Sequence, residues 1–169
     1  MIRIARPTLR RFSALVLLAA LTALLASAHA SVRIIDWLEL MPEEELSALQ
    51  DIPEVDHLGM METPDYSDSN PVLAMNGAEG RLPGYIVPLS ITSDNKISEF
   101  FVVPYFGACI HVPPPPPNQI VYAKPETPID MTEIWAAYWI YGTIEVKPTR
   151  NAVAQSFYVI NVEKVEPWE

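Results

Sequence analysis

Short runs of branched and aromatic residues dominate the chain beyond Arg81. Five runs have this character, and turn-forming stretches such as TSDNK and KPTRNA separate them: LPGYIVPLSIT, EFFVVPY, NQIVYA, IWAAYWIYGTIEV and SFYVINVEKVE. Gly142 lies in the fourth run, where a strand at a barrel corner would bend. We therefore predict a mainly β protein with a small five-stranded barrel of the oligonucleotide- or oligosaccharide-binding (OB) type, and a β-sandwich as the second choice.

The segment before the β-rich region has a different pattern. Pro42 and three glutamates precede Leu46 and Leu49 in the stretch MPEEELSALQ. Proline in the first turn, and acids near the positive end of the helix dipole, predict a short N-terminal helix. Residues 51–80 are rich in Pro, Asp, Ser, Asn and Gly and have little periodicity, which indicates a long surface loop.

The first thirty residues have the pattern of an export signal. Arginines near the N-terminus precede an uncharged apolar run from Phe12 to Leu25, and the small residues of ASAHA follow. The apolar run is shorter than the roughly twenty residues that a membrane-spanning helix needs. We expect cleavage after Ala30, a periplasmic location and no stable membrane insertion afterwards. The predicted organisation is a signal peptide over 1–30, a helix and loop segment over 31–80, and a barrel domain over 81–169.

Cleavage of the signal changes the net charge. The full chain carries a formal charge of −10, and four of its eleven basic residues lie in the predicted signal. The chain from Ser31 onward keeps seven basic and all 21 acidic residues, for a charge of −14. Such a field repels phosphate backbones and attracts cations, so we expect no nucleic acid partner.

A cysteine, a histidine and five prolines form the most distinctive motif. Cys109 is the only cysteine, His111 follows two residues later, and Pro113, Pro114, Pro115, Pro116, Pro117 and Asn118 complete the motif. The prolines fix φ and lack amide hydrogens, which predicts a polyproline II segment. In an extended backbone, Cys109 and His111 would share one face.

Three interpretations of Cys109 and His111 stay open. Thiolate and imidazole suit zinc or copper, and His57 or a nearby carboxylate could complete the ligand set. His57 with Met60 and Met61 is a separate candidate for a copper-binding arm. Cys109 could instead be a nucleophile activated by His111, as in a thiol-dependent enzyme. The third interpretation is structural: a small buried thiol and a histidine that hydrogen-bonds the backbone. No helix start or glycine-rich oxyanion loop is recognisable near the cysteine, which argues against catalysis.

The chain also resembles a known family through LPGYIVPL, FFVVPYFGACIHVPPPPPNQIVY and YWIYGTIEV. These stretches are similar to the motifs of a domain-of-unknown-function family of exported bacterial proteins with a Cys-x-His-x-polyproline-Asn-Gln segment. The genes of that family often lie beside an ABC-type export system of the macrolide or lipoprotein-releasing kind, sometimes with a zinc-binding periplasmic protein. The resemblance implies an accessory role near envelope transport, and it implies no activity.

The sequence therefore predicts a non-catalytic periplasmic binding or accessory protein for an ABC-type transport system. A zinc- or copper-linked form of this function would use Cys109, His111 and His57. The alternatives are a thiol-dependent enzyme and an interaction module without a metal.

Overall fold

The computed structural model describes residues 32–50, 66–108, 115–130, 133 and 135–168, with side chains described at all of these except 48–50. The strands are β1 (Glu79–Ile91), β2 (Lys96–Val103), β3 (Val121–Ala123), β4 (Ile129–Asp130), β5 (Ala137–Arg150) and β6 (Gln155–Pro167). Among the described residues, one α-helix, α1, spans Glu43–Gln50, and 3-10 helices span Trp37–Leu40, Leu73–Met75 and Pro117–Gln119. Over this described part, no helix is long and apolar enough to cross a membrane.

Five of the strands close into a barrel. The order around the barrel is β1-β2-β3-β6-β5 and back to β1, and the short β4 pairs with β2 outside this ring. Every pairing is antiparallel except β3–β6, which is parallel. Without β4 this is the order of an OB-type barrel. The mainly β fold with a small five-stranded barrel is therefore confirmed.

The barrel interior follows the two-residue alternation of its strands. In β1, side chains from Gly80 to Ile86 alternate between buried and half-buried, because successive residues point to opposite faces of the sheet. The interior consists mostly of large apolar side chains that are fully buried, including Leu82, Ile86, Phe100, Ile140, Ile144 and Ile160. Burial of such side chains is the main favourable contribution to folding.

Strand β2 departs from this alternation, because both of its faces are buried. Phe100 and Val102 point into the barrel, whereas Phe101 and Val103 form a second cluster on the outer face. Ala108 and Ile120 cover that outer cluster, and both belong to the connection of residues 104–120 between β2 and β3. The uninterrupted apolar run FFVV is thus explained by a strand that lies between the barrel core and a covering loop.

The segment of residues 33–50, which we call the N-terminal segment, packs against the barrel. Ile35 and Leu40 are fully buried in the main core, and residues 34 and 81 form a parallel bridge. Asp36 caps the first 3-10 helix by accepting a hydrogen bond from the Leu38 amide. Helix α1 then begins directly after Pro42, which confirms the short N-terminal helix.

Three boundaries differ from the sequence expectation. The run NQIVYA contributes only Val121–Ala123 to a strand, because residues 117–119 form a 3-10 helix. The fourth run becomes β5 only from Ala137 onward, and β4 is a two-residue strand without a sequence signal. In each case a tertiary contact, rather than local propensity, sets the end of the element.

Gly142 lies at an irregularity between β5 and β6, where the register shifts by one residue. A Cβ atom at this position would lie 2.1 Å from the carbonyl oxygen of Asn161. No larger residue fits without moving the backbone of β6. The expected bend at Gly142 therefore corresponds to a close approach between two strands.

Gly142→Ala is expected to lower the free energy of unfolding by at least about 3 kcal/mol, the upper end of overpacking costs, because the obstacle is backbone. Gly77→Ala is the control, since Gly77 has φ +84° but open space around its Cβ position. The control should cost about 1–2 kcal/mol from the left-handed backbone alone. Urea unfolding of both variants measures the difference, and equal losses would contradict the steric explanation.

Candidate functional site

The Cys-His-polyproline motif belongs to the connection between β2 and β3, and part of it lies within the described residues. Pro115, Pro116, Pro117 and Asn118 are described. The remaining predicted site residues lie outside the described residues: His57, Cys109, His111, Pro113 and Pro114. The site is therefore built here from the second half of the motif and from its surroundings.

The described prolines lead from the connection into the barrel. Pro115 is buried, and Pro116 has φ −58° and ψ 152°, values of the polyproline II region. Pro117 opens the 3-10 helix Pro117–Gln119, where a proline is tolerated because no amide hydrogen is needed at a helix start. The chain turns there and brings Asn118 and Gln119 into the interior.

Asn118 is fully buried and joins three parts of the chain. Its side-chain amide donates to Glu45 Oε2 of α1 at 2.7 Å and to the Asn70 carbonyl at 3.1 Å. The other oxygen of Glu45 accepts the Asn70 backbone N–H at 2.8 Å. A half-buried carboxylate is thus stabilised by several donors, which a glutamate in a helix first turn does not usually have.

Two further side chains extend these contacts. Gln119 donates from Nε2 to the Trp37 carbonyl at 2.9 Å. The Tyr158 hydroxyl donates to the Leu40 carbonyl at 2.8 Å and accepts the Val72 N–H at 2.6 Å. Burial, with a smaller contribution from the charge of Glu45, raises the pKa of Tyr158, so the hydroxyl stays protonated at neutral pH. We call Glu45, Asn118, Gln119 and Tyr158 the polar network.

The polar network has a positioning role. Asn118 and Gln119 fix the end of the motif to the N-terminal segment and to Asn70 over sequence separations of 48 to 82 residues. Tyr158 bonds to Val72 and Leu40 over separations of 86 and 118 residues. Each buried polar atom left unpaired would cost about 1–3 kcal/mol. Asn118 Oδ1 is one such atom, since it has no hydrogen-bond partner among the described residues, so the arrangement is specified by the two bonds from Asn118 Nδ2. The motif therefore returns to the barrel at a fixed place.

Beside the prolines lies a cleft of about 300 Å³. Its lining combines one aromatic ring, one guanidinium group and proline rings: Tyr66, Ser67, Pro115, Pro117, Arg150, Ala154 and Gln155. Arg150 and Gln155 pair with each other across the turn between β5 and β6. The cleft can hold a small group by stacking on Tyr66 and by hydrogen bonds from Arg150.

Aromatic side chains surround the start of the connection. The rings of Tyr85 and Phe106 lie 6.0 Å apart, and burial together with the neighbouring Tyr105 raises the pKa of Tyr66. Tyr105 is 47% exposed and Phe106 is 51% exposed. We call Tyr66, Tyr85, Tyr105 and Phe106 the aromatic rim. Tyr105 and Phe106 are its exposed members, and Tyr66 and Tyr85 are half-buried. Tyr85 packs against the buried cluster of Phe101, Val103 and Ala108.

The described residues do not by themselves form a metal centre. Within the described ranges, no group of three or more His, Cys, Asp or Glu side chains is close enough to hold a metal ion. The glutamate run at the start of α1 is divided: Glu43 and Glu44 are exposed, whereas Glu45 binds Asn118 and Asn70. Dipole chemistry and the polar network account for that run without a cation.

Fold and site together define a small closed β-barrel whose β2–β3 connection is fixed to an N-terminal segment by buried polar contacts. Comparison with known proteins identifies the family. Residues 37–167 match the model of the family "Protein of unknown function (DUF3299)", and the chain belongs to that family.

A solved structure of the same family is similar over most of its length. The crystal structure of a DUF3299 family protein from Pseudomonas aeruginosa PAO1 has 33% sequence identity and a TM-score of 0.64. The match covers 83% of this chain and 98% of that chain. No curated protein matches the chain.

Sequence reasoning missed most of the polar network. Asn118 was expected as part of the motif, but nothing in the pattern pointed to Glu45 or Tyr158 as its neighbours. The available signal was the position of Glu45 next to Leu46 in α1. If Leu46 packs on the barrel, the side chain of Glu45 starts from the neighbouring face of the helix and can also reach the barrel. Tyr158 lies in a run of apolar strand residues, and this pattern does not show whether its hydroxyl is buried or exposed to solvent.

Asn118→Asp is expected to lower the free energy of unfolding by about 3–4 kcal/mol at pH 7, because it places a second buried carboxylate against Glu45. Burial and Glu45 would raise the pKa of the introduced carboxyl in the folded state. The loss should therefore be smallest below about pH 4, where the protonated carboxyl still donates one of the two hydrogen bonds, and grow as pH rises through the unfolded-state value. Urea unfolding between pH 3 and pH 8 measures this trend.

Asn151→Asp is the matched control. Asn151 Oδ1 accepts the Val153 and Ala154 amides in an exposed turn, and a carboxylate oxygen can accept the same bonds. Its effect should stay within about 0.5 kcal/mol at every pH. A pH-independent loss for Asn118→Asp, or the same loss in both variants, would contradict the role of the polar network.

Proposed function

We propose that this protein is a non-catalytic binding module of the periplasm, and that it acts as an accessory to an ABC-type envelope transport system through the aromatic rim. The observation that carries the proposal is the exposure of Tyr105 and Phe106 next to Tyr85, whose ring contacts Phe106 and packs against the buried outer cluster. Exposed apolar groups on a rigid support are typical of protein interaction sites, where aromatic residues contribute most of the binding energy.

The geometry of the connection supports a binding role. Ala108 and Ile120 pack in the same outer cluster, so the connection leaves and rejoins the barrel at one face. The polar network holds its second end. A partner that contacts the rim would thus meet a surface that loses little conformational freedom on binding, which favours affinity.

Export and charge support the envelope setting. The first thirty residues have the pattern of a cleaved signal, with cleavage after Ala30. The net charge of −10 over the whole chain disfavours nucleic acids and favours basic partners or cations. In the family that the chain resembles, the neighbouring genes often encode an ABC-type export system, and we propose such a system as the partner.

A metal-linked form of this function rests on the sequence. Cys109, His111 and His57 are donors that suit zinc or copper, and the acidic surface raises the local concentration of cations. In this form the ion would be held by Cys109 and His111, which lie in the sequence between Ala108 and Pro115, with His57 as a further ligand. The partner would then recognise the loaded protein.

Photo-crosslinking tests the proposed partner. The full chain, carrying a photoreactive phenylalanine analogue at position 106, is expected to form an adduct with a periplasmic or membrane component of an ABC-type transporter in its native bacterium. The reason is that Phe106 is the most exposed ring of the rim. Mass spectrometry of the adduct identifies the partner.

The same analogue at position 73 is the control, because Leu73 is 74% exposed and lies outside the rim. Adducts at 106 that are no stronger than those at 73, or adducts formed only with cytoplasmic proteins, would overturn the proposal.

Metal content and thiol reactivity test the role of the Cys-His pair. The chain from Ser31 onward is expected to retain about one zinc or copper ion, and Cys109→Ala to lose it. His57→Ala tests whether His57 is a third ligand in addition to Cys109 and His111. This variant should weaken binding of the metal ion without abolishing it. Elemental analysis after dialysis gives the stoichiometry.

The alkylation rate of Cys109 between pH 5 and pH 9 distinguishes the alternatives. Slow alkylation that accelerates on chelation supports a ligand role. Fast alkylation well below pH 8 in metal-free protein would favour a reactive thiol, because the thiolate is the reacting form. A metal-free, slowly alkylated thiol would leave only the structural role.

A further inference from the structure

A groove of about 660 Å³ lies in the wall of the barrel, and none of its residues belongs to the polar network or to the aromatic rim. One side consists of residues 161–165 of β6 with Thr143 of β5. The other side consists of residues 124–127 and Ile129, from the chain that joins β3 to β4. The groove therefore separates two extended segments that are neighbours at one end.

The groove exists because β3 is short. Strand β3 pairs with β6 only through three residues, of which the last pair is Ala123 with Ile160. Beyond Ala123 the chain moves to β2, where β4 pairs with Lys96 and Ile97. Among the described strands, none pairs with β6 on this side from Asn161 onward.

The backbone of β6 offers hydrogen-bonding groups to this groove. The Trp168 N–H donates to the Ala137 carbonyl at 2.9 Å, so the backbone of Trp168 faces β5. Backbone groups of successive strand residues point alternately to the two sides. Lys164 therefore faces β5 as well, whereas the N–H and C=O of Val165 face the groove.

The other end of the strand gives the same result. Ile144 exchanges backbone hydrogen bonds with Gly77 and Ala78, on the side of β5 away from β6. Its partner Ile160 therefore has no bond to β5 and faces β3. The side of β6 that pairs with β3 at Ile160 is thus the side that is open at Val165.

The charges of the groove are not balanced. Lys124 pairs with Glu99 at 2.7 Å, and Lys164 pairs with Glu166 at 2.5 Å, so both cations of the lining have partners. Glu126 and Glu163 also line the groove, are exposed, and take part in no ion pair between described residues. The uncompensated charge in the groove is therefore negative.

We propose that the groove binds an extended, lysine- or arginine-containing peptide segment of a partner protein, which adds to β6 as a further strand. Residues 161–165 present an edge of roughly 16 Å at about 3.3 Å per residue, enough for five or six peptide residues. Main-chain hydrogen bonds would supply affinity, and Glu126 and Glu163 would select basic side chains. Pro167, which lacks an amide hydrogen, limits the edge at its far end.

A fluorescein-labelled hexapeptide of alternating lysine and valine is the probe, and fluorescence anisotropy with the full chain is the measurement. The peptide is expected to bind, and binding should weaken as salt rises because exposed charges are screened. A peptide with glutamate in place of lysine, and one with alternate backbone nitrogens methylated, should bind at least about tenfold more weakly.

Two variants locate the site. Val165→Pro removes the amide that faces the groove while leaving the β5 pairing intact, and is expected to weaken binding about tenfold. Glu126→Gln with Glu163→Gln should weaken binding several-fold and flatten the salt dependence. Asp68→Asn with Glu79→Gln removes the same charge elsewhere and should change binding less than about twofold.

Hydrogen exchange of the native chain provides a second measurement that needs no variant. Peptide binding should slow exchange of the Val165 amide, which faces the groove, where none of the described strands pairs with β6. Unchanged exchange at Val165, equal affinity for the methylated or glutamate peptide, or no binding at millimolar peptide would overturn the proposal. A stable dimer that protects this amide without peptide would assign the edge to a second copy and would also overturn it.

Discussion

The structure depends on burying both faces of one strand. Phe100 and Val102 of β2 fill the barrel, and Phe101 and Val103 on the opposite face need a cover of their own. A closed barrel of this size can bury only its inner face, so the outer pair requires material from elsewhere in the chain. The connection of residues 104–120 supplies it, with Ala108 and Ile120 as contacts. The burial of Ala108 and Ile120 follows from that requirement.

Covering an outer face also explains the polar network. A connection that lies over a sheet has backbone and side-chain polar groups that must find partners away from water. Asn118 and Gln119 meet Glu45 and the Trp37 carbonyl, which places part of the N-terminal segment beside the connection. Tyr158 ties the same segment to the barrel from within. Three elements that are far apart in sequence thus depend on a few buried hydrogen bonds.

The barrel could be predicted from sequence because its strands carry a strong local signal. Branched and aromatic runs such as FFVV and SFYVINV mark strands, and turn residues mark their ends. Gly142 was also foreseeable, since a glycine inside such a run suggests a close backbone approach. The helical turn at Pro117–Gln119 and the two-residue β4 were not, because they are set by tertiary contacts.

The candidate site could be predicted only in part. The sequence motif identified Asn118. The hydrogen bond between Asn118 and Glu45 joins residues 73 positions apart, and no periodic pattern in the sequence indicates such a contact. The exposure of Phe106 depends on how the connection lies over β2, which composition does not determine. The groove beside β6 arises from the early end of β3, and strand ends are the least certain feature of a sequence-based prediction.

The parallel pair of β3 and β6 has a consequence for how the chain folds. These strands meet through only three residue pairs, and they are joined by a long crossover that contains β4 and β5. The antiparallel hairpin of β5 and β6 needs only a short turn, so its loop closes at a much lower entropic cost. The hairpin should therefore form early, and the β3–β6 contact should close the ring last.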